Sequence, residues 1–162
     1  MSEALRGTDF DQPTDDRYFE DYVVGAVHEY GYEPVTEAEI LEFARSYDPQ
    51  PIHTDPGYAA TGPFKGLIAS GAQTVALAMR IYVTHYLSHA ASLASPGLDE
   101  LRWPRPVRPG DSLWLRATIL DTRRSQSKPD RGVLRTSIEL FNQHDEAVLT
   151  MTAINFLSLR NP

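Results

Sequence analysis

Apolar and polar positions first fall into a regular pattern at Val27 to Tyr32, where they alternate as in a half-buried strand. Thr36 and Glu39 then fit a capping box, each side chain serving the other's free backbone N–H, and Ile40, Leu41, Phe43 and Ala44 supply an apolar helical face. This helix should be short. Pro49 disfavours helical geometry at Asp48, and Pro51 does the same at Gln50, so it ends near Tyr47. After a loop over 48–65, a second helix is expected from Ser70 to Leu87, with Ala72, Val75, Ala76, Met79, Tyr82, Val83 and Tyr86 apolar or small. Its first half is nearly apolar all round and must be wrapped. The wrapping follows as three runs of strand character, Leu113 to Leu120, Val133 to Phe141 and Val148 to Leu157. Turn signals at Pro109-Gly110-Asp111, at 128–132 and at 142–146 make them an antiparallel meander. The expected class is α+β, one long buried helix inside a curled antiparallel sheet. Residues 1–16 are polar, acidic and without periodicity, and are expected to form a flexible leader. Residues 17–160 form the single domain.

Composition supports that count. The 162 residues are 41% hydrophobic, enough for one core. There is no cysteine, so disulfides, thiolate metal sites and a cysteine nucleophile are excluded. The amino terminus has no apolar h-region and carries acidic residues, which leads us to expect a cytoplasmic protein. The longest apolar stretch, Gly66 to Val83, is interrupted by Gln73 and Arg80 and reads as a buried helix, not a membrane span. Charge is uneven. Residues 1–60 carry fourteen acids against Arg6, Arg17 and Arg45, although the net charge of the whole chain is only -7. The remainder is therefore basic, and arginine dominates it, since Lys65 and Lys128 are the only lysines. Guanidinium groups suit forked contacts with phosphate, so a small phosphate-bearing ligand is plausible. Nucleic acid is not, because no continuous basic run appears.

Two segments carry candidate chemistry. In Asp48-Pro49-Gln50-Pro51-Ile52-His53 two prolines restrict the backbone between a carboxylate and an imidazole, a common pairing for general acid and base work. The plainer reading makes Asp48 a turn cap and His53 a surface loop residue. In Phe64-Lys65-Gly66-Leu67-Ile68-Ala69-Ser70-Gly71 the chain enters the buried helix, whose first N–H groups are unpaired and electropositive. Gly71 has no side chain to block an approaching carbonyl oxygen, so its N–H suits an oxyanion hole. Ser70 reads as the N-cap of that helix, a role compatible with an oxyanion hole at Gly71. Elsewhere His85 and His89 lie four apart but lack a third metal ligand in the sequence pattern. His28 and His144 read as strand and turn residues. Arg102, Arg105 and Arg108 cluster with Trp103, and Arg123, Arg124, Lys128 and Arg131 crowd the first hairpin. Both groups are either solvated basic faces or contacts for phosphate. No G-x-S-x-G turn, phosphate loop or dinucleotide fingerprint is present.

The two segments together, with Asp55 and Ala59 between them, resemble the MaoC-like dehydratase family, hot-dog proteins that include the (R)-specific enoyl-CoA hydratases. The resemblance extends through Tyr22-Val23-Val24-Gly25, Pro106-Val107-Arg108-Pro109-Gly110-Asp111 and Asn142-Gln143, covering about residues 18 to 158. Many members carry His where this chain has Ser70. The resemblance implies a hot-dog fold and a hydro-lyase that adds water to a trans-2-enoyl-CoA, giving the (R)-3-hydroxyacyl thioester, or runs in reverse. Asp48 and His53 would share the water, and Gly71, with Ser70 beside it, would hold the thioester oxygen. Pro51, Ile52, Phe64 and Ile68 would contact the substrate, as would Arg102, Arg105 and Arg108, whose partners would be the coenzyme A phosphates. No metal or cofactor is expected beyond coenzyme A as part of the substrate. Open sheet edges lead us to expect a homodimer. Two rivals remain: a hot-dog thioesterase and a non-catalytic acyl-CoA-binding domain.

Overall fold

The computed structural model describes residues 6, 7 and 9–162. Six antiparallel strands form one sheet: β1 (Arg6–Gly7), β2 (Val27–Pro34), β3 (Ser92–Arg102), β4 (Ser112–Arg124), β5 (Arg131–Phe141) and β6 (Ala147–Ser158). Their spatial order is β1-β2-β4-β5-β6-β3. The helices are α1 (Glu37–Tyr47), α2 (Pro51–Thr54), α3 (Pro56–Thr61) and α4 (Gly71–His85).

The core forms between α4 and one face of the sheet. Thr74, Leu77, Ala78, Ile81 and Tyr82 repeat at helical spacing and are all buried. Opposite them, Leu134, Thr136, Ile138 and Leu140 alternate inward along β5, and Met151, Ala153, Asn155 and Leu157 along β6. Two buried polar pairs fix the helix on the sheet, each partner satisfying the other. The Tyr82 hydroxyl donates to Asn155 Oδ1 at 2.7 Å, and the Tyr86 and Thr136 hydroxyls meet at 2.8 Å. This is the expected hot-dog arrangement. Among the described residues no helix is long and apolar enough to cross a membrane.

Local signals place α1 as expected. Thr36 Oγ1 accepts the Glu39 N–H, and Glu39 Oε2 accepts the Thr36 N–H. Gly110, at φ 87°, supplies the left-handed residue that the turn before β4 requires.

Three expectations change. The loop after α1 contains α2 and α3, each opened by a proline at its first position, where the missing N–H costs nothing. Both are too short to show a hydrophobic period. β3 is an additional strand: its Ser, Ala, Pro and Gly content hides it, because it is an exposed edge whose register with β6 slips three times. The expected loose arm is anchored from Asp9 onward. Asp9 Oδ1 accepts the Tyr30 hydroxyl at 3.0 Å, and Phe10 stacks on His28 with ring centroids 4.0 Å apart. Apolar burial of Phe10 outweighs the local polarity of its neighbours. The rest of the proposed leader, apart from the short β1, lies outside the described residues.

Candidate active site

The site forms where the C-terminus of α1 meets the N-terminus of α4. Asp48 caps α1 and His53 sits one short turn later on α2, which Pro51 opens. Behind them, residues 67–70 lead into α4. The Ala69 N–H donates to the Val107 carbonyl at 2.8 Å, and this leaves the neighbouring Ile68 carbonyl facing α2. His53 Nδ1 lies 2.8 Å from that carbonyl oxygen. A carbonyl only accepts, so Nδ1 carries the hydrogen, and in the neutral ring Nε2 is left as a lone pair. Nε2 faces Asp48 Oδ2 at 3.4 Å. The imidazole is buried, whereas the Asp48 side chain is 25% exposed.

Asp48 is held at both oxygens. Gln50 Nε2 donates to Oδ1 and Ser70 Oγ donates to Oδ2, each at 2.7 Å. Hydrogen bonds from Gln50 and then Ser70, joined by the nearby imidazole, hold the carboxyl below its ordinary value of 3.8 against the opposing effect of desolvation. Asp48 is therefore a carboxylate at neutral pH. The Ser70 oxygen also accepts the Ala72 N–H at 3.2 Å, making Ser70 the N-cap of α4.

Asp48, His53 and Gly71 line one cavity of about 440 Å³, with Phe64, Ile68 and Arg105 among its other walls. Gly71 is the first residue of α4, so no carbonyl of that helix takes its N–H. Trp103 packs directly over it. A Cβ built on Gly71 would lie 2.7 Å from Trp103 Cε2, and Trp103 Nε1–H donates to the Gly71 carbonyl at 3.1 Å. A base, a carboxylate and an electropositive backbone end thus converge on one apolar-walled space. That combination suits proton transfer to and from a carbonyl compound.

Not every expected residue reaches the cavity. Ser70 is fully buried, and its hydroxyl is committed to Asp48 and Ala72, so it supports the site from behind. Pro51 and Ile52 do not line the cavity, because the α2 turn that aims His53 inward turns them away. Arg108 Nη2 donates to the Phe64 carbonyl at 2.7 Å, tying two loops together, and Arg102 Nη1 donates to the carbonyl of Leu101. Neither lines the cavity. Gln50 and Trp103 were missed as site residues. The Gln50 signal was available, an amide two residues from a carboxylate, whereas the Trp103 contact with Gly71 spans 32 positions and has no local signature. His85 stacks on Tyr30, and His89 Nε2 lies 2.7 Å from the Val83 carbonyl.

Comparison with known proteins gives this geometry a context. A crystal structure of the MaoC-like dehydratase from Rhodospirillum rubrum superposes with a TM-score of 0.82 at 37% identity, covering 89% of this chain and 98% of that one. The unliganded R-hydratase PhaJ1 from Pseudomonas aeruginosa gives 0.71 at 26% identity, covering 98% and 89%. The 3-hydroxyacyl-thioester dehydratase Z of Mycobacterium tuberculosis is 28% identical over 126 residues, 76% of this chain and 83% of the relative. The family model of the MaoC like domain matches residues 25–139, from the turn before β2 into β5, and so includes the α1–α4 junction where Asp48, His53 and Gly71 meet. On that match, with the fold and the site beneath it, the chain belongs to the MaoC-like dehydratase family.

Proposed function

We propose that this protein is a hydro-lyase that interconverts a trans-2-enoyl-CoA and the (R)-3-hydroxyacyl-CoA. The observation that carries the reading is the 3.4 Å approach of Asp48 Oδ2 to His53 Nε2 in the cavity that Gly71 also lines. Both atoms are acceptors, so a water placed beside the line joining them donates one hydrogen to each and keeps an oxygen lone pair for carbon. As that oxygen bonds C3, Nε2 takes one proton, and the π electrons move through C2 onto the thioester oxygen. The Gly71 N–H at the start of α4 meets this oxygen where its charge grows, which stabilises the transition state more than the ground state. The imidazolium then returns its proton to C2, and the dyad ends as it began. Asp48 orients the water and offsets the imidazolium charge. Dehydration is the same path reversed. Arg105, which lines the same cavity with a side chain 54% exposed and only loosely paired with Glu146 at 3.9 Å, would meet the coenzyme A phosphates.

The reading includes a homodimer. The outer edge of β3 is exposed over nearly its whole length, and a second copy would cover its open backbone groups. Sedimentation should give twice the chain mass.

The activity test follows the ultraviolet absorbance of crotonyl-CoA. Wild type should bleach the conjugated band without releasing thiol, and Asp48→Asn and His53→Gln should each slow the reaction by about 10²–10⁴-fold while retaining the fold. Thiol release with an intact double bond would indicate a thioesterase instead. Undiminished bleaching by both variants would remove the dyad from the mechanism.

A further inference from the structure

Trp103 is a large aromatic left half exposed, at 49%, on the wall of the cavity that Asp48, His53 and Gly71 share. Its indole is nevertheless anchored. The N–H is spent on the Gly71 carbonyl, and the six-membered ring presses on the bare Gly71 Cα, so the side chain is held at the edge of the cavity with a free apolar face. A tryptophan whose polar atom is satisfied and whose ring is fixed loses little entropy when something is laid against it. Two residues on, Arg105 lines the same cavity with an exposed cation. Pro104 and Pro106 flank that arginine and stiffen the strip.

We propose that Trp103 is a substrate-contacting, specificity-determining residue whose indole forms the platform for the thioester-linked arm of a coenzyme A substrate. This deepens the reading above and rests on it for the placement of the thioester. If the thioester oxygen is on the Gly71 N–H and the acyl double bond is at the dyad, the sulfur-linked arm leaves beside Gly71. The surface there is the Trp103 ring, and beyond it stands Arg105. The arm of coenzyme A alternates methylene groups with planar amides, which suit an indole face, and ends in phosphates, which suit a guanidinium. The same contact explains the demand for glycine at position 71: any side chain would displace the platform.

The test uses butyryl-CoA, which has no double bond to hydrate, and tryptophan emission. Trp114, the other tryptophan, is buried and stacked on Phe141, so it provides a constant background. Saturating butyryl-CoA should change the emission of wild type and leave that of Trp103→Phe unchanged. Calorimetry should show about tenfold weaker binding to Trp103→Ala, with Trp103→Phe within threefold of wild type because it keeps a ring. Unaltered wild-type emission at calorimetric saturation, or equal affinity in Trp103→Ala, would overturn the proposal even if crotonyl-CoA is hydrated. An emission change that follows protein concentration and not butyryl-CoA would also overturn it, assigning the ring to a subunit contact. Quenching by butyryl-CoA without any hydration of crotonyl-CoA would support the platform and defeat the hydro-lyase reading instead.

Discussion

Ser70 donates its hydroxyl hydrogen to Asp48 Oδ2 at 2.7 Å while its oxygen accepts the Ala72 N–H at 3.2 Å. One hydroxyl therefore joins the carboxylate to the helix that presents the Gly71 N–H. Ser70→Ala removes both bonds. It should lose about 1 kcal/mol as an N-cap and about 1.5–3 kcal/mol as a bond to a charged group. At about 2–4 °C per kcal/mol for a chain of this size, the melting temperature should fall measurably. In kinetics kcat should fall more than KM rises, because ground-state contacts remain while the carboxylate is no longer aligned with the amide. Ser70→Thr keeps the hydroxyl and should restore most of the rate. A folded Ser70→Ala protein with wild-type kcat would contradict this coupling.

The depressed Asp48 carboxyl makes a prediction about acid. Gln50 and Ser70 each donate to it, so the folded value lies below the unfolded one. A depressed carboxylate contributes stability above its unfolded value, near 3.8, and loses that contribution as pH falls through the lower folded value. Carbon-13 NMR of the Asp48 carboxyl should therefore titrate below the ordinary aspartate range. Gln50→Ala and Ser70→Ala should each move that titration upward. No movement in either variant would mean that these donors do not set the carboxylate.

Gly71→Ala tests close packing against the indole. The added methyl would sit 2.7 Å from Trp103 Cε2, nearer than carbon atoms approach, so the half-exposed ring must swing away. Because that ring is at the edge of the cavity, the cost should fall on the site more than on the fold. The melting temperature should drop by only a few degrees, whereas kcat/KM should fall about tenfold or more. Equal kcat/KM would show that the ring and the amide act independently.

At the other end of α4 a buried clamp gives a stability prediction. Arg17 Nη1 donates to the His85 and Tyr86 carbonyls, each at 2.8 Å, and Nη2 donates to the Gln12 carbonyl at 2.7 Å. Phe10 lies against the guanidinium at 3.7 Å. A cation on the last carbonyls of a helix satisfies acceptors that the helix cannot, and complements its dipole. Arg17→Ala should cost about 2–4 kcal/mol, since the partly buried His85 and Gln12 carbonyls lose a charged donor, while the Tyr86 carbonyl keeps the Tyr22 hydroxyl. Thermal unfolding measures the loss. Chemical denaturation should give a matching fall in midpoint, with the slope preserved if unfolding remains all-or-none.

Short-range chemistry was legible in the chain. Thr36 and Glu39 announced the start of α1 because both partners of a capping box lie within one turn. Pro49 and Pro51 announced its end because a proline acts on its immediate neighbours. Asp48 and His53 were legible as a candidate pair for the same reason, five positions apart with a restrained backbone between them. The three meander strands and α4 followed from period, since a continuous apolar face repeats along its own element.

What the tertiary structure decided are relationships between segments that no local pattern encodes. Trp103 meets Gly71 across 32 positions and Arg17 meets α4 across 68, so neither contact leaves a mark in its own neighbourhood. β3 reads as a loop because an edge strand facing solvent needs no apolar alternation; pairing with β6 makes it a strand. The structure also chose between roles that residue type left open. It turned Ser70 inward to Asp48, because a buried hydroxyl needs a partner once packing has excluded water, and it set Arg108 on the Phe64 carbonyl at the surface, where one guanidinium ties two loops together.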